Sequence, residues 1–125
     1  MRESTITTKI ITTLNGKQAQ FYFKVVAHPF QIAGLPDIIG ISQGRFEAIE
    51  VKVFRGKNWL HLKSLLSDLQ HATLTKIANL GGNARLGLYI EGELGFYLIP
   101  YKHLKNYELI ADFKADNRDY FTLFP

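Results

Sequence analysis

The sequence predicts a mixed α/β domain with a small central sheet, in the order α-β-β-β-α-β-β. Three observations carry that prediction. Two segments of helical periodicity, near residues 3–16 and 67–80, flank three short runs rich in β-branched and aromatic residues. The pair Gly81-Gly82 closes the second helix, and two more such runs follow it. The 125 residues suffice for one core but not two, so residues 1–125 read as a single domain.

The first helix comes from "ESTITTKIITTLNGK", where Ile6, Ile10 and Leu14 share a face and Asn15-Gly16 is a stop. Its threonines are poor helix formers, so packing must hold it. The run "QFYFKVVA", Gln20 to Ala27, reads as a strand, and "HPFQIAGLP" as a loop punctuated by Pro29, Gly34 and Pro36. Strands Asp37 to Ser42 and Arg45 to Val53 follow, joined at Gln43-Gly44. A basic connection, "RGKNWLHLKSL", leads to the clearest helix. Ser67 and Gln70 form its capping box, and Leu66, Leu69, Thr73, Ile77 and Leu80 are expected along its buried side. "ARLGLYIEG" and "GFYLIP" make the last strand pair, and the tail from Tyr101 reads as short helix or irregular chain.

Hydrophobic residues at 46% and charged residues at 21% are ordinary for a globular chain. No apolar run approaches the roughly 18 residues that span a bilayer, and "MRESTITTKI" lacks an apolar signal core. Cysteine is absent, which excludes disulfides, thiolate metal sites and a cysteine nucleophile. A cytoplasmic location is the expectation. The net charge of +4 is uneven: residues 1–67 hold nine Lys/Arg against four Asp/Glu, and residues 68–125 hold six against seven. That asymmetry suits a polyanionic partner, although solubility alone also favours a basic excess.

The hairpin "GLPDIIGISQGRFEAIEVKV" makes the sharpest prediction. A symmetric turn at Gln43-Gly44 gives paired residues whose numbers sum to 87, which places Asp37 opposite Glu50. Opposite residues share a face with Cβ atoms about 4.5–5.5 Å apart. Lys52, two residues on, lies on that face too, while Ile38, Ile49, Val51 and Val53 point into the core. Two carboxylates so placed repel unless one is protonated or a cation lies between them. Oxygen pairs of this kind suit Mg²⁺, and a lysine beside them could neutralise charge at a reacting phosphorus. An exposed Glu-x-Lys on a solvated strand is the simpler alternative.

Pro36-Asp37 followed by Glu50-Val51-Lys52 resembles the motif of the PD-(D/E)XK nuclease superfamily. The ordered set "GLPDIIG…GRFEAIEVK" and "LSDLQHATLTKIANLGGNA" is similar to its VRR-NUC (virus-type replication-repair nuclease) branch. The resemblance covers residues 3 to 99 and leaves 101–125 outside as an extension. It implies a restriction-endonuclease-like αβββαβ core with a small mixed central sheet flanked by helices. By it, Asp37 and Glu50 would hold Mg²⁺ (or Mn²⁺ in its place) with the Val51 carbonyl, and Lys52 would position the attacking water. Glu3 matches an additional metal ligand that many such nucleases and archaeal Holliday-junction resolvases place on the first helix; an acid favoured by the helix dipole reads equally well there. Gln70 matches the family's helix glutamine, and the capping box explains it as well.

Arg45, Arg55, Lys57, Trp59, His61 and Lys63 mix basic and aromatic groups in under twenty residues. They suit phosphate tracking with one stacking ring, or a solvated face with Trp59 in the core. The four histidines lack metal-ligand spacing, and only His28 lies near the Pro36-Asp37 loop. The expected activity is Mg²⁺-dependent endonucleolytic hydrolysis of DNA, with branched or structured duplex as substrate and a homodimer as the working unit. A sequence-specific restriction or homing endonuclease is the alternative enzyme. A non-catalytic nucleic-acid-binding protein is the alternative outside enzymes.

Overall fold

Ile6, Ile10 and Leu14 are fully or almost fully buried, and the helix they define, α1, spans Glu3–Asn15. The computed structural model describes residues 2–26, 33–56, 60–106, 110 and 120–122. The threonines of α1 are accommodated by hydroxyl donation to carbonyls four residues back, from Thr7 to Glu3 and from Thr13 to Lys9, each at 2.8 Å. Burial of its three aliphatic side chains contributes about 1.5–3 kcal/mol each. Packing therefore holds a helix that propensity does not favour.

Six strands form one sheet in sequence order: β1 (Gln20–Lys24), β2 (Ile38–Ser42), β3 (Arg45–Phe54), β4 (Asn83–Ile90), β5 (Gly95–Pro100) and β6 (Tyr120–Thr122). All neighbours are antiparallel except β3 and β4, which run parallel. A parallel pair needs a crossover, and the second helix, α2 (Asp68–Asn79), lies within it. Among the described residues the fold is thus a mixed α/β sheet with two α-helices, α1 and α2, as the sequence implies. The tail contributes something unexpected: Tyr120–Thr122 adds a sixth strand alongside Gly95–Tyr97. A run of three residues is too short to show an alternation pattern.

The two faces of the sheet carry separate cores. On one, α1 packs against Tyr22, Ile38, Ile49, Val51, Phe96 and Leu98. On the other, Leu62, Leu66 and Leu74 pack against Phe54, Leu86, Leu88, Tyr97 and Ile99. The buried side of α2 differs from the expected one. It runs through Leu74, with Ile77 and Ala78 partly buried, whereas Leu69 and Leu80 are 50% and 79% exposed. Leu74 lies close to one turn from both Ile77 and Ala78, and that stripe sets the orientation of the helix. The capping box forms as predicted: Ser67 Oγ accepts from Gln70 N–H, and Gln70 Oε1 accepts from Ser67 N–H.

Candidate active site

The β2–β3 hairpin positions the predicted acids. Gln43 and Gly44 both adopt positive φ, 53° and 77°, the conformation of a two-residue hairpin turn. The observed pairs Ile38↔Ile49, Ile39↔Ala48 and Ile41↔Phe46 all sum to 87. Continuing that register brings Asp37 opposite Glu50 and Pro36 opposite Val51. Ile38, Ile49 and Val51 are fully buried on the α1 side, with Val53 partly buried there, so Glu50 and Lys52 point to the other face.

Asp37 bridges two strands at the point where pairing stops. Its carbonyl accepts Val25 N–H at 2.8 Å, and its carboxylate Oδ2 accepts Val51 N–H at 2.8 Å. That side chain replaces the main-chain partner Val51 would have in a continuous ladder. Val51 N–H and C=O project to the same side of the strand, and Pro36, opposite, has no N–H to offer that carbonyl. The loop reaches this point through Gly34, whose φ of +81° favours glycine. A Cβ there would lie 2.6 Å from Leu69 Cγ at the start of α2. Leu69, absent from the helical core, is thus a support for the loop that carries Asp37.

Glu50 is 3% exposed and is hydrogen-bonded to Asp37. Burial first, then that hydrogen bond and the Asp37 charge, push its carboxyl up to about 9; Lys52 opposes the shift and Glu3 adds to it. The pair therefore holds a proton at neutral pH, since two adjacent carboxylates in a poorly solvated site cannot both ionise. Glu3, the first residue of α1, is exposed and also shifted upward, by partial desolvation and by Asp37, against Lys52 and Arg55. It stands within electrostatic reach of the pair. Among the described residues no group of three acids or histidines comes together at metal-ligand spacing, so Glu3 does not complete a triad.

A cation of the hard, oxygen-preferring kind fits this donor set. Two carboxyls that must otherwise share a proton are the groups a divalent ion neutralises, and the outward Val51 carbonyl is a third oxygen. Lys52, half-buried, supplies positive charge beside them. A groove of about 370 Å³ between α2 and the turn at Tyr101–Asn106 includes none of these residues; the acids stand on the sheet itself.

The remaining predicted residues divide. Gln70 is engaged at its side-chain oxygen in the α2 cap. Arg45 donates to the carbonyls of Gly81 and Gly82, at 2.9 and 3.5 Å, and so braces the turn after α2. Arg55 forms an exposed ion pair with Glu91 at 2.6 Å. Lys63 is exposed, and its carbonyl meets His71 Nε2 at 2.8 Å. Lys57, Trp59 and His28 lie outside the described residues.

Sequence reasoning missed one polar cluster. Glu47 Oε1, buried on the α1 side, accepts from Arg85 at 2.6 Å, Tyr22 at 3.0 Å and Asn83 at 3.1 Å. The signal was available: Glu47 shares its parity with Ile49 and Val51, so a hairpin that buries those two buries Glu47 as well.

No protein-family model matches the chain. A sequence relative is the Holliday junction resolvase RecU of Mycoplasmopsis pulmonis (strain UAB CTIP), 41% identical over 70 residues. That match takes in 56% of this chain and 43% of RecU, so the chain spans less than half of that relative. Among solved structures, Hjc, a Holliday junction resolvase from the archaeal hyperthermophile Archaeoglobus fulgidus, superposes with a TM-score of 0.58. The superposition covers 84% of each chain at 20% identity. The fold of this chain is similar to that of the Hjc resolvase.

Proposed function

We propose that the chain is a metal-dependent endonuclease acting on branched DNA, built as a PD-(D/E)XK enzyme of the VRR-NUC branch. The observation that carries this reading is the hydrogen-bonded pair Asp37–Glu50 with Lys52 on the same sheet face. A non-catalytic binding module has no reason to bury Glu50 against a second acid, Asp37, where DNA phosphates would approach. The RecU relationship and the Hjc-like fold support a branched substrate.

Asp37, Glu50 and the Val51 carbonyl would hold Mg²⁺ or Mn²⁺, with Glu3 close enough to act on its outer coordination. When bound, the ion supplies Lewis-acid polarisation of the scissile phosphate. The chain's own groups do the rest. Asp37 is fixed by the Val51 N–H, so its second oxygen is presented in one orientation. Lys52 orients the attacking water and offsets the negative charge that grows on phosphorus as the water adds in line and the opposite P–O bond breaks. Arg45, Arg55, Lys57 and Lys63 are candidates for backbone contacts, and the location in this reading is the cytoplasm. Two copies acting together would cut two strands.

The test is cleavage of a labelled four-way junction, its linear duplex and its single-stranded arms, with Mg²⁺, with Mn²⁺ and with EDTA. Metal-dependent cutting by the wild type, abolished in Lys52→Ala and Asp37→Ala with junction binding retained, is the expected result. Binding without cutting on every substrate would give the chain to the binding-module reading.

A further inference from the structure

Three lysines line one continuous trough along α2. The groove of about 370 Å³ between α2 and the turn at Tyr101–Asn106 carries Lys63 and Lys102, with Ala78 and Leu104 as its apolar part. It continues into a wider depression of about 670 Å³ that shares His71, Thr75 and Asn79 with it and adds Lys76. All three lysines are exposed, and among the described residues none of them is in an ion pair. Arg45 and Arg55 differ, because their guanidinium groups are committed to the carbonyls after α2 and to Glu91. Asp68, at the start of α2, is the one carboxylate among the described residues that line the trough.

One wall is fixed before any ligand arrives. His71 Nε2 lies 2.8 Å from the Lys63 carbonyl, which can only accept, so that nitrogen carries a proton. His71 Nδ1 lies 2.9 Å from Tyr101 Oη, and Thr75 Oγ1 donates to the same oxygen at 3.1 Å. These bonds tie α2 to both segments that flank the groove. They hold the half-buried Tyr101 ring along it, 5.8 Å from the His71 ring.

We infer that the trough takes an unpaired DNA strand, its phosphates on Lys63, Lys76 and Lys102 and a base against Tyr101. Sites that hold single strands without reading sequence combine a cationic groove with an aromatic face, and both are present here. A duplex offers Tyr101 no free base face. A free nucleotide is too small an occupant: from Asp68 to Leu80 the trough follows α2 for about 18 Å at the helical rise. At the 3.4 Å rise of stacked bases that is room for about five nucleotides.

The strand site stands without the nuclease reading, but its consequence for the substrate rests on it. Leu69 meets Gly34 on the loop that carries Asp37, whereas His71, about 200° further round the helix, faces Tyr101. The trough therefore lies across α2 from the acids, a helix width of about 10–12 Å away. In a nuclease acting on branched DNA, α2 then separates the strand being cut from an unpaired strand leaving the branch. The favoured branch is one with a single-stranded arm beside the cut.

Fluorescence anisotropy of a labelled oligothymidylate, in EDTA, tests the site apart from cleavage. Three phosphate contacts give log K against log salt a slope of about −2, and Lys63→Ala, Lys76→Ala and Lys102→Ala should each flatten it by about 0.7. Lys24→Ala, at an exposed position on β1, should leave it unchanged. Tyr101→Leu should weaken binding at least about fivefold, the loss of one stacked base. Asn79→Lys, exposed at the end of α2, adds a fourth cation and should tighten binding and steepen the slope by about 0.7, a gain that misfolding cannot imitate. A slope unchanged in all three lysine variants, or an Asn79→Lys variant that binds no tighter than wild type, overturns the inference. Thymidine monophosphate that competes as well as the oligonucleotide at equal nucleotide concentration overturns it and makes the trough a free-nucleotide pocket. A blunt duplex bound as tightly, with the same lysine dependence, overturns it in favour of paired DNA. A chain that cuts no branched substrate yet keeps these slopes would end the nuclease reading and leave the strand site standing.

Discussion

The carboxyl pair makes the metal-free protein lose stability as pH rises, and that loss can be worked out. Glu50 has an ordinary value of 4.5 when unfolded and is pushed up to about 9 when folded. Between those values the folded chain keeps a proton the unfolded chain has released, so the unfolded state binds fewer protons and stability falls with pH. The stabilisation is complete below about 4.5 and gone above about 9. One proton's difference gives a slope of at most about 1.4 kcal/mol per pH unit, or up to about 3 kcal/mol from pH 4.5 to 7. At this chain length that is at most about 5 °C in Tm per pH unit. Thermal melts followed by circular dichroism in EDTA, for wild type and Glu50→Gln, isolate the effect of the carboxyl pair, because groups remote from Glu50 are the same in both proteins. The Glu50→Gln melts should fall less steeply, and Mg²⁺ or Mn²⁺ should raise the wild-type Tm more at pH 8 than at pH 6, since the ion replaces a proton. Parallel slopes for the two proteins would show that Glu50 is already ionised at neutral pH and refute the coupling to Asp37.

Three further outcomes follow from the packing. Removing Arg85 leaves Glu47 charged and buried with only Tyr22 and Asn83 as donors; Arg85→Ala should cost about 3 kcal/mol in urea unfolding, and Glu47→Gln much less. Gly34→Ala combines a left-handed φ with a 2.6 Å approach to Leu69, so it should cost about 1–3 kcal/mol, and adding Leu69→Ala should recover only the steric part. Asp37→Ala should lower Tm in metal-free buffer less than the loss of its Val51 hydrogen bond suggests, because it also frees Glu50 of its neighbour's charge; Asp37→Asn, which keeps an acceptor for Val51 N–H, should be the more stable of the two by roughly 1 kcal/mol.

Much of this arrangement was legible because strand geometry is a counting rule. A two-residue turn at Gln43-Gly44 fixes every pair in the hairpin, so the placement of Asp37 against Glu50 needed only a correct turn. The same parity would have buried Glu47, but its partners come from two other strands, Tyr22 from β1 and Asn83 and Arg85 from β4, and no local pattern joins them. The buried side of α2 was misjudged for a related reason. Leu69 and Leu80 satisfy helical spacing, yet what covers a helix is decided by the sheet beneath it and, for Leu69, by a loop some thirty-five residues earlier. The tail strand Tyr120–Thr122 was invisible because three residues have no period to detect.

Asn15, which the sequence offers merely as a helix stop, has a wider effect. Its side chain receives Tyr22 N–H at 2.7 Å and donates to Tyr22 C=O at 2.9 Å, on the outer border of β1. Those main-chain groups are the ones a passing strand would recruit to extend the sheet. With them occupied, growth by strand addition is blocked at the middle of that border. A chain arriving at this border finds two of its hydrogen-bonding groups already spent, so open-ended growth, in which each added chain presents a fresh border, is disfavoured there.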